Sequence, residues 1–331
     1  MSVIVEVEKL PPKASNFERT ALIQYRLTIN KCSPLCPLKN VHCKKFCSTV
    51  LPLKHVQFME DIKNLEIYRD DIWVITFPKC GTTWAQEAIW QIYNGVDLDS
   101  EKSKESLRTR FPFMEFASLI PDQSKNWIDQ VRNSPRPRFI KSHLPICFLP
   151  ENLWTTARKI IYVAREPKDV AVSYFHHYSN LRTYKGTSEE FFELFLDGMV
   201  EDGCYWTHLE QFSFIRHLRN FKFIKFEDMK RDLKGVLVDL AKFLKKDLSE
   251  EQIERLLKHL SFNSMRNNPA VNYSLMADAS HDDDRDERCK KTGFNFIRKG
   301  ESQCFKDEMS PEFVQRFDEK TNEIFGSYED L

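Results

Sequence analysis

The run "DIWVITFPKCGTTW", residues 71–84, constrains this chain more than any other segment. Its first half is a block of β-branched and aromatic residues, as expected of a strand buried on both faces. A proline ends the block. A lysine, a cysteine, a glycine and two threonines follow, and a helical pattern begins at once. Ala85, Ala88, Ile89, Ile92 and Tyr93 recur at i, i+3, i+4, i+7 and i+8, so they share one face of a helix that Gly95 can close.

The same alternation continues downstream. "RFIKS" (138–142), "KIIYVA" (159–164) and "FKFIKF" (221–226) read as further strands. Thr187 with Glu190 forms a capping box opening "SEEFFELFLDGMV", and Ser249 with Gln252 opens "EEQIERLLKHL". "SPEFVQRFDEKTNEIFG" reads as a Ser-capped helix ending at Gly326. Strands alternating with helices predict an α/β fold, with a central parallel sheet flanked by helices in a single domain over residues 51–331. In residues 1–50 prolines and cysteines break up any period, which predicts an N-terminal extension. The charge run "ADASHDDDRDERCKK" (277–291) predicts a surface loop.

Composition narrows the function. Lys+Arg and Asp+Glu balance at 49 each, so no basic field points to nucleic acid. The N-terminus "MSVIVEVEKLPPK" is too short and too acidic for a signal peptide, and no apolar run reaches membrane-spanning length. A soluble, cytoplasmic protein is expected. Four of the nine cysteines (Cys32, Cys36, Cys43 and Cys47) crowd into "CSPLCPLKNVHCKKFC" with His42 among them. Four thiolates could hold one Zn²⁺, but C-x3-C-x6-C-x3-C is not a standard zinc spacing. Thiols of a reducing cytosol are the expectation here, as for the scattered Cys80, Cys147, Cys204, Cys289 and Cys304; zinc and a disulfide pair are the alternatives.

In an α/β sheet, ligands sit beyond the carboxyl ends of the strands, where loops enter helices. Residues 78–83 form such a loop. Gly81 lets the backbone approach a ligand; the N–H groups of the helix start, the Thr82 and Thr83 hydroxyls and the Lys79 ammonium all favour an anion. The loop is a phosphate cradle in kind. It is not G-x-x-x-x-G-K-[ST], because its lysine precedes the glycine, so an anion other than an ordinary nucleoside triphosphate is indicated.

"TFPKCGTTW" resembles the 5′-phosphosulfate-binding loop of the cytosolic sulfotransferases, commonly T-Y-P-K-S-G-T-T-W. Three more segments resemble that family's motifs in its order: "KSHLP" (141–145), "YVAREPKDVAVSYFHHY" (162–178) and "FNFIRKG" (294–300). The resemblance spans roughly residues 55–331 and implies 3′-phosphoadenosine 5′-phosphosulfate (PAPS) as co-substrate, adenosine 3′,5′-bisphosphate (PAP) as product, and no metal. By matched position, it implies that Lys79, Cys80 (through its backbone), Gly81, Thr82 and Thr83 hold the 5′ end and that Trp84 stacks on adenine. It implies that Phe226 and Phe262 stand near the nucleotide, and that Arg165, Ser173, Arg298, Lys299 and Gly300 grip the 3′-phosphate. His143 is implied as the base, Lys141 as a neighbour of the transferring group, and Lys79 as the group that neutralises the leaving oxygen.

Some positions depart from the family pattern. Cys80 replaces a serine, Phe226 a common tyrosine and Leu260 a common threonine; the dimerisation segment K-x-x-F-T-V-x-x-x-E is degenerate in "KDEMSPEFVQ", which leaves a homodimer in doubt. The implied acceptor is a small apolar molecule bearing a hydroxyl: a phenol, a sterol-like alcohol or a retinoid. The aromatic run "RFPFMEFASLIP" (110–121), with Phe148, Phe175 and "EEFFELF", could line its pocket or simply pack the core. A dehydratase of an allylic alcohol such as retinol, and a non-catalytic nucleotide-binding module, are the alternatives.

Overall fold

Four consecutive buried residues at 72–75 need cover on both faces, and the chain supplies it with helices on either side of a parallel sheet. The computed structural model describes residues 5–11, 14, 24–30, 33–38, 46–119, 127–181, 184–272, 296–329 and 331. The 277–291 charge run, Cys32 and Cys43 lie outside these residues.

Three strands come first: β1 (Val5–Lys9), β2 (Gln24–Ile29) and β3 (Ser48–Pro52), an antiparallel sheet in the order β1-β2-β3. The second sheet comprises β4 (Ile72–Thr76), β5 (Phe139–Ser142), β6 (Lys159–Ala164) and β7 (Phe221–Lys225), all parallel, in the order β5-β4-β6-β7. The helices used below are α1 (Thr82–Tyr93), α2 (Pro167–Leu181), α3 (Ser188–Leu196), α4 (Tyr205–Phe214), α5 (Phe226–Arg231), α6 (Leu233–Leu244), α7 (Glu250–His259), α8 (Phe262–Asn267) and α9 (Pro311–Phe325).

Period-two alternation sorts the sheet's side chains. Ile72, Val74, Phe139, Ile161, Val163 and Ile224 pack with Ala85, Ala88, Ile89 and Ile92 of α1 and Leu237, Leu240 and Leu244 of α6. Trp73, Ile75, Ile140, Ile160 and Tyr162 pack on the other side with residues of α2, α3, α4 and α9. Both expected capping boxes form, at Thr187–Glu190 and Ser249–Gln252, and Ser310 caps α9, which closes at Gly326. Arg138 grips both carboxylate oxygens of Asp71 at 2.5 and 2.9 Å, a buried bidentate pair at the amino ends of β4 and β5.

Residues 1–50 hold more structure than their interrupted pattern predicts. β1 and β2 pair there, and Leu27, Ile29, Cys36, Leu38 and Cys47 are buried in the same cluster as Trp73 and Ile75. The cause is tertiary: a short strand is ordered by its partners and by burial, neither of which a local period records.

Candidate functional site

Because the strands are parallel and in register, their carboxyl ends meet at one edge. Ile75 lies opposite Ser142, Thr76 opposite Val163, and Ala164 opposite Lys225. The residues that follow these strands, namely Phe77–Gly81, His143, Arg165 and Phe226, therefore converge.

The first loop is tightly wound. Lys79 has φ 69° and Gly81 φ 89°, the left-handed region; for a non-glycine residue such as Lys79 this costs on the order of 1–2 kcal/mol. A Cβ on Gly81 would lie 2.6 Å from Cδ2 of Phe226, so only glycine lets that ring close over the loop. Cys80 is fully buried, and burial pushes its thiol far above the ordinary range, leaving it protonated. Thr82 is buried with its hydroxyl 2.7 Å from that of Thr76, while Thr83 and Trp84 are half-buried. The Trp84 indole donates to Leu260 O at 3.0 Å and meets Phe226 edge-on at 5.6 Å.

Arg165 joins the loops. Its guanidinium donates to Lys79 O (3.1 Å) and Glu301 O (2.8 Å) and lies 4.4 Å from the Phe226 ring centroid. Its buried Nε has no partner among the described residues, a donor available to a ligand. Asp169, on the first turn of α2, accepts from Gln303 N (2.7 Å) and Phe305 N (3.1 Å), which anchors the segment after Gly300. Ser173 follows one turn later on the same face, half-buried. Gly300, with φ 62°, packs under Phe262 so closely that an added Cβ would be 2.5 Å from its Cδ2. Arg298 and Lys299 bond Glu308 at 2.8 and 3.0 Å, and His176 bonds it too. Burial opposes the Glu308 charge, but these three partners outweigh it and hold the carboxyl down at about 2.

On the other side stands His143, buried behind β5. Its Nδ1 lies 2.7 Å from Thr76 O. A carbonyl oxygen can only accept, so Nδ1 carries the proton and Nε2 keeps its lone pair. Burial first, then the Lys141 charge, holds the imidazole well below its ordinary pKa, so it is neutral at pH 7. Glu115 accepts from the His143 backbone N–H and, at 3.2 Å, from Ser142 Oγ. His208 Nε2 donates to His143 O at 3.0 Å. Phe113 meets the imidazole edge-on at 5.0 Å and lies 4.1 Å from Lys141 Nζ.

Three titrating groups are shifted toward neutrality here. Burial lowers Lys79 to about 7, assisted by the charges of Arg165, Lys141 and Arg298. Burial lowers Lys141 to about 8 against the pull of Glu115, and burial raises Glu115 to about 7 against the His143 N–H. Chemically, a neutral imidazole with a bare nitrogen can accept a proton, beside cations able to neutralise oxygen charge. Among the described residues no cluster of three or more His, Cys, Asp or Glu could hold a metal, and no helix is long and apolar enough to cross a membrane.

The family profile of the sulfotransferase domain matches residues 69–328. The chain belongs to the sulfotransferase family. It is 39% identical over 295 residues to luciferin sulfotransferase of Photinus pyralis, covering 84% of this chain and 78% of that one. It is 36% identical over 260 residues to sulfotransferase 1 family member D1 of Mus musculus, covering 78% and 84%. A crystal structure of retinol dehydratase with retinol and PAP superposes with a TM-score of 0.80 at 25% identity, covering 98% of each chain. This sulfotransferase is thus a transferase enzyme with PAPS as its co-substrate. Its own residues fit that nucleotide: the two glycines let the Phe226 and Phe262 rings pack directly on the loop backbone, and the buried Arg165 Nε is a donor with no acceptor among the described residues.

The motif residues that share the edge include Lys79, Lys141, His143, Arg165 and Phe226, with Gly300 tied in through Glu301. Sequence reading passed over Thr76, Glu115, Asp169 and Glu308. Glu115 sits between Phe113 and Phe116, where an aromatic run read as pocket lining conceals a buried carboxylate. The signal was the single charge in "PFMEF".

Proposed function

We propose that this sulfotransferase moves a sulfonate group from PAPS to the hydroxyl of a small apolar acceptor, with His143 as general base. The reading rests on one observation: Thr76 O fixes the proton on Nδ1, which leaves Nε2 to take the acceptor's proton. Bound PAPS supplies an electron-poor sulfur with a good leaving group. Lys79 neutralises charge on the departing bridging oxygen, Lys141 faces the transferring group, and the Cys80–Thr83 backbone and hydroxyls hold the 5′ end. Arg165, Ser173, Arg298, Lys299 and Gly300 hold the 3′-phosphate, while Trp84, Phe226 and Phe262 bound the adenine. Phe113 beside His143 and Lys141, with Phe116 packed on it, favours an apolar acceptor such as a phenol, a sterol-like alcohol or a retinoid. The protein works in the cytoplasm as residues 51–331 plus the N-terminal extension.

A dehydratase reading is favoured by one observation, the full-length likeness to retinol dehydratase. Incubation with sulfur-labelled PAPS and a panel of phenols, sterols and retinoids separates the two. A labelled sulfate ester is the expected product. A dehydrated, unlabelled acceptor instead establishes elimination, and no turnover on any acceptor class removes the proposal.

A further inference from the structure

Cys36, Cys47 and Cys147 come from distant stretches of sequence and meet away from the nucleotide edge. All three are thiols, each at most 5% exposed. Cys47 precedes β3, and its carbonyl accepts from Ile29 N of β2 at 2.8 Å, so its backbone is fixed to the N-terminal sheet. Cys147 lies in the turn Ile146–Phe148, four residues beyond His143, where Gln211 Oε1 accepts from Ile146 N at 3.0 Å. Although 100 residues apart in sequence, their sulfurs lie 2.8 Å from each other. A disulfide needs about 2.0 Å, so bond formation asks for an approach of roughly 0.8 Å.

The surroundings favour thiol chemistry. Cys47 donates its S–H to Cys147, and Cys147 hydrogen-bonds Cys36. The buried Lys63 ammonium donates to Cys147 O (2.9 Å) and Leu149 O (3.3 Å) and adds its positive charge to the cluster. The Cys147 bond foremost, with the Lys63 charge assisting, draws Cys36 down to about 7 despite its burial. Cys147 is driven the other way, by its contact with Cys36 first. Negative charge therefore collects on Cys36, which is the nucleophile of the three and also their best leaving group.

We propose that Cys47 and Cys147 are an oxidative modification site, at which a peroxide forms a reversible disulfide tying the N-terminal sheet to the turn beyond His143. The Cys36 thiolate attacks one peroxide oxygen and becomes a sulfenic acid; the other oxygen leaves as hydroxide and is protonated to water. Cys147 attacks the Cys36 sulfur, forming an S–S bond, and its S–H proton passes to the sulfenic oxygen, which leaves as a second water. Cys47 then attacks Cys147 and expels the Cys36 thiolate beside Lys63. In sum, two thiols lose two electrons and two protons, and one peroxide becomes two waters. The burial of the cluster limits the oxidant to small molecules. The bond would close a loop of about 100 residues, the geometry in which a cross-link restricts the unfolded chain most.

The full chain is treated with hydrogen peroxide, its remaining thiols are alkylated, and non-reducing digests are analysed by mass spectrometry alongside melting curves. Expected are a Cys47–Cys147 linked peptide and a Tm several degrees higher, both reversed by dithiothreitol. Cys36→Ser should slow the cross-link at least tenfold, and Cys47→Ser should trap a Cys36–Cys147 bond. Should the wild-type chain instead oxidise at Cys204 or Cys304 while Cys47 and Cys147 stay alkylatable, or reach sulfinic acid without a link, the site is refuted. That readout needs no variant, so a folding failure in a substituted chain does not weaken it.

Discussion

The two sides of the site hold main chain by the same means and differ in what else their buried side chains do. On the side proposed for the nucleotide, the joints run through main chain: Arg165 donates to the carbonyls of Lys79 and Glu301, Trp84 donates to that of Leu260, and Asp169 takes the N–H of Gln303 and Phe305. On the side proposed for the acceptor, side chains hold main chain too, but there Glu115 and Lys141 also act on each other's charge, and Lys141 lowers His143. Glu115 fixes the His143 backbone, and His208 fixes the His143 carbonyl. A joint made by one side chain is lost with that side chain alone, whereas a change in one of the coupled groups alters the charge of the next. The first side should therefore lose binding in increments, and the second should lose chemistry abruptly.

The sharpest break in that comparison is His143→Ala. General-base catalysis supplies about 10²–10⁴-fold, so turnover should fall by that factor. PAP affinity should stay within a few-fold, because the imidazole reaches the nucleotide side only at second hand, through Thr76 to Thr82. Lys79→Ala should lower donor affinity and turnover together. Steady-state kinetics with calorimetric titration of PAP checks both; near-normal turnover of His143→Ala on a weakly acidic alcohol would place the base elsewhere.

This contrast also explains what could be read from sequence. Strands, capping boxes and the Lys79–Trp84 loop were legible because each is written in adjacent residues, and sheet register then carries His143, Arg165 and Phe226 to the same edge. Glu115 and Thr76 were not, because their roles arise from contacts 28 and 67 residues away. β1 and β2 hid behind prolines and cysteines for a similar reason. Cys147 was counted among scattered thiols, and only folding places it against Cys47.

The next test addresses the nucleotide side alone. If Arg165, Ser173 and Arg298 read a 3′-phosphate, PAP should bind more tightly than AMP. Hydrogen bonds to charged groups contribute about 1.5–3 kcal/mol each, so losing two predicts roughly a hundredfold difference. Glu308 already holds Arg298 and Lys299, so part of that gain offsets release from Glu308. Equal calorimetric affinities for the two nucleotides would remove the 3′-phosphate assignment.

The smallest expected effect concerns Glu115→Gln and depends on pH. Glutamine keeps an oxygen to accept from the His143 N–H, so the positioning of that residue survives. What it removes is the negative charge that raises Lys141 against burial. The other charged groups acting on Lys141 are Arg108, which lowers it, and Asp202, which raises it; Lys141 in turn lowers His143. Without Glu115, Lys141 should titrate below its present value of about 8, because burial and Arg108 then meet less opposition. A lysine of lowered pKa is cationic only at lower pH, so the alkaline limb of the kcat profile should move toward acid. Turnover should drop about fivefold at pH 8, where a one-unit shift takes the ammonium fraction from about one half to about a tenth, and change little at pH 6. PAP affinity at pH 6 should be unchanged. An equal loss at both pH values would mean that Glu115 serves by shape or hydrogen bonding and not by its charge, and the buried carboxylate would then differ little from the backbone joints across the site.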